Sequence, residues 1–590
     1  MKRLLVVPAI ALGVLWGGAA TAFAFNPDVL VSDGSPTAPF SENKQNEPAV
    51  AVDAASPNIL ASGSNDEIDM EACNAAADNT CPFTPGVGSS GIYFSFDNGT
   101  TWTQPTYTGI SARNCQGVVG NSDPPCSPNS EGPIGTIPWY GEHGLVSDGD
   151  PALAFGPKPD GHGGFTYANG ARLYYGNLTA NVGTTRKDQS FKGFEAIYVS
   201  RTDDPQTAAT GGAAGKNAWC VGKEGCAPVQ VSQQSSTTFS DKDQIWADNA
   251  ESSPHFGTAY ICYANFVGQE KGNAAPAQLQ VGVSHDGGDT WQVHPIGSAS
   301  DNSQHNPPDG CTIRTDSHGT AYVFGVGTAQ KQVSELMSTS TNGGNSWSPP
   351  RPVVAPVNQP GITDPFQGRP TIDGVAGERS DLAPAPSVDI ANGAPTGADA
   401  TDRMVMSYVS GPLATPHVFF SESTNHGATW SASRSIETTG DRGLFTAPAI
   451  SPDGKNVWVV YNAFLTPYRT DTSSPRSIVG VVKHASASGS TGSTGAFTEV
   501  HRGVPGDPRG SSSNDLTSEF LGDYVYAAAT RDYGAAVWND SRNDADCPAI
   551  DAFRMQLVDG NTSATPPAPQ QMCAPNFGNS DIYGGSYPNP

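Results

Sequence analysis

Apolar residues in this chain come in short alternating runs, not in the stripes of amphipathic helices. The runs include Glu47-Pro-Ala-Val-Ala-Val, Asp150-Pro-Ala-Leu-Ala-Phe, Asp243-Gln-Ile-Trp-Ala, Asp309-Gly-Cys-Thr-Ile, Arg369-Pro-Thr-Ile, Ala447-Pro-Ala-Ile and Gly522-Asp-Tyr-Val-Tyr. Most begin at a polar or turn-forming residue and continue as a strand. A second strand usually follows and ends at Asn or Asp, as at 58–65, 171–177, 258–265, 456–462 and 534–539. Repeated strand pairs separated by turn residues predict an all-β repeat architecture.

A second pattern occurs four times. It reads SFDNGTTW at 95–102, SHDGGDTW at 284–291, STNGGNSW at 340–347 and STNHGATW at 423–430. Asp97 and Asp286 occupy the turn in two copies, Asn342 and Asn425 in the others. An Asp or Asn there offers an oxygen to backbone N–H groups, the glycines permit the tight turn, and the closing Trp supplies an apolar face. The motif resembles the Asp-box, or BNR repeat, of the sialidase superfamily. That resemblance implies one β-propeller of four-stranded blades, with the boxes at the periphery and ligands at the mouth of the central channel. The first strand of each unit then lines the channel. Seven units are counted, with six as the alternative. Ser200-Arg201-Thr202-Asp203 reads as a decayed box in unit two, and units six and seven have no clear copy.

Residues 1–24 read as an export signal, with Lys2 and Arg3 before an apolar stretch and Ala22-Phe23-Ala24 as a cleavage site. The propeller is expected over 25–560 and a tail over 561–590. No later stretch is apolar enough to span a membrane. Net charge is −26, which opposes nucleic acid and anionic membranes as partners. Ten cysteines suit an oxidising, extracellular setting, and their spacing pairs Cys73–Cys81, Cys115–Cys126, Cys220–Cys226, Cys262–Cys311 and Cys547–Cys573. Segments 66–90 and 103–148 are expected to rim one face. The Ala/Gly/Ser-rich runs 376–400 and 485–497 are expected as surface loops. Asn98 and Asn177 match the glycosylation sequon.

Aligning the units brings Glu47, Asp150, Asp241, Asp243, Asp309, Arg369 and Asp523 to the starts of the inner strands. Polar residues there either form a functional ring or cap turns. The sialidase resemblance implies an Arg triad for a sugar carboxylate, a Tyr nucleophile helped by Glu, and an Asp acid/base. The Arg opening the first blade of a sialidase is replaced by Asn46-Glu47-Pro48, whose acid repels a carboxylate ligand. A substitute set consists of Arg369, Arg442 and Arg542, with Asp66 as acid/base, Tyr524 as nucleophile and Glu519 as its base. A different glycosidase would use two carboxylates from Asp66, Asp150, Asp243 and Asp540. Asp241, Asp243 and Asp309 could instead hold Ca²⁺, with the acid-dense run 539–546 as another candidate. No cofactor is required by these readings. The expected function is a secreted glycosidase acting on a glycan or glycoconjugate as a monomer. The alternatives are a non-catalytic glycan- or protein-binding propeller, or a scaffold.

Overall fold

Seven antiparallel sheets form a ring, each starting at the axis. The inner strands are Gln45–Val52, Ala152–Pro159, Thr238–Ala247, Asp309–Thr315, Ser387–Ile390, Arg442–Ile450 and Tyr526–Ala529. Each lies against the inner strands of the blades on both sides, and the last returns to the first. The protein is therefore a seven-bladed β-propeller, and the six-bladed alternative is excluded. The computed structural model describes residues 28–33, 44–71, 84–115, 126–182, 195–233, 238–267, 277–300, 309–412, 415–488, 492–512 and 516–589. The export signal and the Cys73–Cys81 pair lie outside them. The other four disulfides form as the spacing predicts. Cys262–Cys311 ties the second strand of blade three to the inner strand of blade four.

Ring closure corrects the expected tail. Blade seven runs outward from Tyr526–Ala529 through Tyr533–Asp540 and Asp581–Pro588 to Val29–Leu30. Residues 561–590 thus carry the third strand of the last blade, with Ile582 and Tyr587 buried in it. A strand from the other end of the chain completes the sheet, so the ring is fastened by hydrogen bonds between the two ends.

Blade five holds a second correction. Arg369-Pro-Thr-Ile does not start its inner strand. Pro370–Thr371 pairs with Ile362–Thr363 in a small hairpin instead. The inner strand comes from the 376–400 run expected as a surface loop, where Leu382, Ala383, Val388 and Ile390 are buried. Neighbouring inner strands crowd the axis, so small side chains fit there. The same composition read along the sequence looks like a loop.

The four repeated turns share one geometry. Ser95 Oγ donates to Asp97 Oδ1 at 2.9 Å and accepts from Gly99 N–H at 2.9 Å. Asp97 also accepts from Thr101 N–H and Thr101 Oγ1 at 2.9 and 2.6 Å. Asp286 repeats this with Ser284, Gly288 and Thr290. Where Asn replaces Asp, the last hydrogen bond reverses: the amides of Asn342 and Asn425 donate to the hydroxyls of Ser346 and Thr429. Either residue closes the turn because the partner hydroxyl can accept or donate. In blade two, Ser200 to Thr202 stay in strand Ala196–Thr202, and Asp204 caps a short helix, Pro205–Ala208. No box forms there, because the chain turns into this helix. Asn98 is exposed in its turn. Asn177 is fully buried, accepting from Tyr140 Oη at 2.6 Å and donating to Leu178 O, so its sequon is out of reach of a glycan.

Adjacent blades interlock by close approach. Trp458 and Trp538 are fully buried on facing sheets. A Cβ on Gly534 would lie 2.4 Å from Trp458, and one on Gly480 would lie 2.2 Å from Trp538. Each indole fills a place that only glycine leaves open, at interior packing density. Gly480→Ala and Gly534→Ala are each expected to destabilise by about 1–3 kcal/mol. A lowered denaturant midpoint would show it, and an unchanged midpoint would mean that the indoles have room to move.

Candidate functional site

The inner strands start with one repeated backbone feature. Glu47, Asp150 and Lys242 hold φ of 56°, 48° and 58°, where Gly310 and Gly522 stand in blades four and seven. Strand register shifts beside several of these positions, marking a bulge. Placing a non-glycine residue in the left-handed region costs about 1–2 kcal/mol. Side-chain amides from the second strands hold two of these bulges. Asn65 Oδ1 accepts the Asp150 N–H at 2.7 Å, and Asn539 Oδ1 accepts the Glu47 N–H at 3.0 Å. In each case an Asn of one blade anchors the first turn of the next.

The strained backbone directs charged side chains to the axis. Lys242 Nζ lies 2.9 Å from Asp523, 3.0 Å from Asp150, 3.5 Å from Asp241 and 3.7 Å from Glu47. These carboxylates come from blades seven, two, three and one, so the ammonium sits where the blades converge. Arg379, from the segment before the inner strand of blade five, donates to Asp523 at 2.9 Å and lies 3.6 Å from Glu47. Its guanidinium stacks 4.7 Å from the Phe520 ring centre.

This cluster separates its carboxyls into charged and neutral groups. Burial works to raise Asp150, but the Lys242 ammonium and hydrogen bonds from the Glu47 and Asp241 carboxyls bring it down to about 2. Burial also opposes ionisation of Asp523, yet Arg379 and Lys242 hold it well below the ordinary carboxylate range. Glu47 is driven well up by burial and by the Asp150 charge. Burial lifts Asp241 to about 8, with Lys242 opposing and Asp150 and Asp309 reinforcing. Asp309 rises to about 6, mainly by burial, against the Gly310 N–H and Lys242. Asp243 is driven well up by burial and the neighbouring carboxylates, and neither of its carboxyl oxygens is hydrogen-bonded.

Below the cluster lies a cavity of about 60 Å³, bordered by Asp243, Thr312, Ser387, Phe445 and Tyr524. The Tyr524 hydroxyl also lacks a partner, and Lys242 lies 5.9 Å from its ring centre. A cavity of this size takes a few water molecules. A larger ligand would sit at the mouth. Asp241 keeps 19% of its side-chain surface exposed there, and Asp309 is half-buried.

The sequence-derived residues divide accordingly. Asp150, Asp241, Asp243, Asp309 and Tyr524 meet at the axis. Arg369 reaches the same region from the blade-five hairpin and pairs with Asp381 at 2.8 Å, adding its charge beside Asp523. The remaining residues have separate partners. Asp66 accepts from Tyr93 Oη and Gln104 Nε2, each at 2.7 Å. Glu519 pairs with Arg476. Arg442 donates to the carbonyls of Thr466 and Ile372. Arg542 pairs with Asp540 and Asp28 and stacks on Tyr583. Arg369 and Arg542 share no acceptor, and no hydrogen bond joins Glu519 to Tyr524 among the described contacts. Lys242 and Arg379 were missed. Lys242 was legible, since it lies between Asp241 and Asp243 at an aligned strand start. Arg379 lies in an insertion with no repeat to mark it.

Seven blades around a polar mouth, with four matching peripheral turns, decide the architecture. In fold, this is a seven-bladed β-propeller. No family model matches the sequence, and no curated protein matches it. Solved structures similar to it include a Hadza microbial sialidase, at 14% identity and TM-score 0.38, covering 71% of this chain and 63% of that one. The leech intramolecular trans-sialidase follows at 11% identity and TM-score 0.37, covering 75% and 68%. The α-L-arabinofuranosidase of Fusarium graminearum matches at 11% identity and TM-score 0.37, covering 74% and 92%. These are likenesses of fold alone, and the chain spans 63% of the length of the Hadza sialidase. Among the described residues no helix is long and apolar enough to cross a membrane. Four disulfides are consistent with an extracellular protein.

The raised carboxyls make stability depend on pH. Asp241 at about 8 and Asp309 at about 6 hold protons in the folded state that the unfolded chain loses near pH 4. Their contribution is complete below about pH 4 and is lost as pH rises through 6 and then 8. Asp150 acts in the opposite sense. Its contribution is present above about pH 4 and is lost only as pH falls towards 2. The thermal midpoint is expected to be higher at pH 5 than at pH 8.5, and Asp241→Asn is expected to narrow the difference. Equal midpoints across that range would show that these carboxyls are not held neutral.

Proposed function

We propose that this protein is an exported, monomeric glycoside hydrolase acting at the channel mouth, with Asp241 as general acid and Asp309 as the ionised partner. The observation that carries the reading is the separation of these two carboxyls. They stand on adjacent inner strands, both keep some exposure at the mouth, and burial raises Asp241, to about 8, further than Asp309, to about 6. Glycoside cleavage needs such a pair. Asp241 would protonate the leaving-group oxygen, breaking the glycosidic bond as the anomeric carbon gains positive charge. Asp309 would attack that carbon or take a proton from the attacking water. Lys242 keeps Asp150 and Asp523 ionised beside them, holding the local charge in place.

A neutral glycan fits this mouth better than a sialoside. The guanidinium groups of Arg369 and Arg379 are already paired with Asp381 and Asp523, and Asn46, with Glu47 beside it, stands where a carboxylate-binding Arg would be needed. Purified protein is expected to hydrolyse a neutral chromogenic glycoside, with kcat/KM bell-shaped and limbs near pH 6 and 8. Asp241→Asn and Asp309→Asn are each expected to lower kcat by roughly 10²–10⁴-fold while the fold is retained. Turnover that survives both substitutions would overturn the assignment. A glycan that raises the thermal midpoint without being consumed would establish a binding propeller instead.

A further inference from the structure

A second set of unpaired oxygens lies away from the axis, where blade seven is fastened. Strand Tyr533–Asp540 ends there and strand Asp581–Pro588 begins, with Asp540 opposite Asp581. The two flanking loops are joined by hydrogen bonds. Asn543 Nδ2 donates to Asp581 Oδ2 at 2.6 Å, Asn576 Nδ2 donates to Asn543 O at 2.7 Å, and Ala545 N–H donates to Asn576 O at 3.3 Å. Within this junction six oxygens are buried and make no hydrogen bond. They are both carboxyl oxygens of Asp544, Oδ1 of Asp581, Oδ1 of Asn579, and the hydroxyls of Ser541 and Ser580. Asp581, Ser541 and Ser580 are each at most 1% exposed.

The nearby cations are engaged elsewhere. Arg542 pairs with Asp540 and Asp28, and Arg509 with Asp507, Asp546 and Asp551. Among the described residues no ion pair reaches Asp544 or Asp581. Buried acceptors without donors are rare in folded proteins and costly. Two carboxylates, one amide oxygen and two hydroxyls, drawn from two loops, form the oxygen-only ligand set of a hard cation.

We infer that Asp544, Asp581 and Asn579, with Ser541 and Ser580 beside them, form a calcium site that clamps the last strand of the ring to the loop before it. Calcium suits the site better than magnesium, which demands near-ideal octahedral geometry and usually keeps several waters. Without a cation these carboxyls are pushed towards neutrality. Burial and the Asp581 charge drive Asp544 well up, with the Ser541 hydroxyl opposing. Burial lifts Asp581 to about 7, against its hydrogen bond from Asn543. The site is separate from the glycosidase reading, because its residues lie outside the channel mouth.

The test is calorimetric titration of EDTA-treated full-length protein with CaCl₂, and with MgCl₂ in parallel, at pH 7.5. Thermal unfolding is followed in the same solutions. One calcium per chain is expected, with a midpoint rise of roughly 3 °C or more at saturating calcium and a much smaller rise with magnesium. Asp544→Asn and Asp581→Asn should each abolish the heat, while Asp309→Asn at the axis should keep it. No heat and no midpoint shift would overturn the site. So would a calcium response that survives both loop substitutions, or one lost with Asp309→Asn.

Discussion

One ammonium group sets the terms for the centre of this propeller. Lys242 is taken out of water and surrounded by carboxylates from blades one, two, three and seven. A buried charge survives only when it is paired and hydrogen-bonded. Here the pairing also orders the ring, because its partners arrive on four different sheets. Removing one member of such a cluster leaves uncompensated buried charge, a change that typically costs about 3–5 kcal/mol. The carboxylates outnumber the cations. Asp150 and Asp523 take the charged state, and the surplus of Glu47, Asp241 and Asp243 is pushed towards the neutral one.

The backbone is strained to permit this arrangement. Glu47, Asp150 and Lys242 occupy left-handed positions that glycine fills in two other blades. Strain of this kind persists only where the surroundings over-determine it. The amides of Asn65 and Asn539 provide part of that determination, each reaching from one blade into the next. The polar residues at the strand starts and strand ends therefore do different work. The acids and Lys242 form the mouth, whereas the asparagines fasten it. The periphery is held separately, by the four hydrogen-bonded turns, and blades six and seven interlock through indoles packed against glycine.

The site's chemistry follows from unequal environments around similar groups. Asp241 and Asp309 lie near the starts of adjacent strands, yet the Asp150 charge lifts Asp241 while the Gly310 N–H restrains Asp309. Both carboxyls keep contact with solvent at the rim. The same excess of acid recurs at the blade-seven junction, without a lysine to balance it. There the unpaired oxygens of Asp544, Asp581 and Asn579 call for a cation from solution.

The architecture was legible in the sequence because propeller blades repeat. Each inner strand must alternate, and each peripheral turn needs Ser, an Asp or Asn, and Gly at fixed spacing. The strand starts of blades one to four and seven could be aligned, and the axial residues Glu47, Asp150, Asp241, Asp243, Asp309 and Asp523 follow from that alignment. Blade five could not be read in the same way. Its inner strand is composed like a loop, and Arg379 enters from an insertion that has no counterpart. Nor could spacing show that Asp66, Glu519, Arg442 and Arg542 are each engaged elsewhere, since most of their partners, such as Asp28 for Arg542, are distant in the chain. The sequence by itself determined the repeat, the turns and which residues begin the inner strands, because those are local properties with a fixed period. Only the tertiary structure decided which carboxyls are charged and which oxygens lack a partner, because burial and the nearest cation depend on how seven sheets close around one axis.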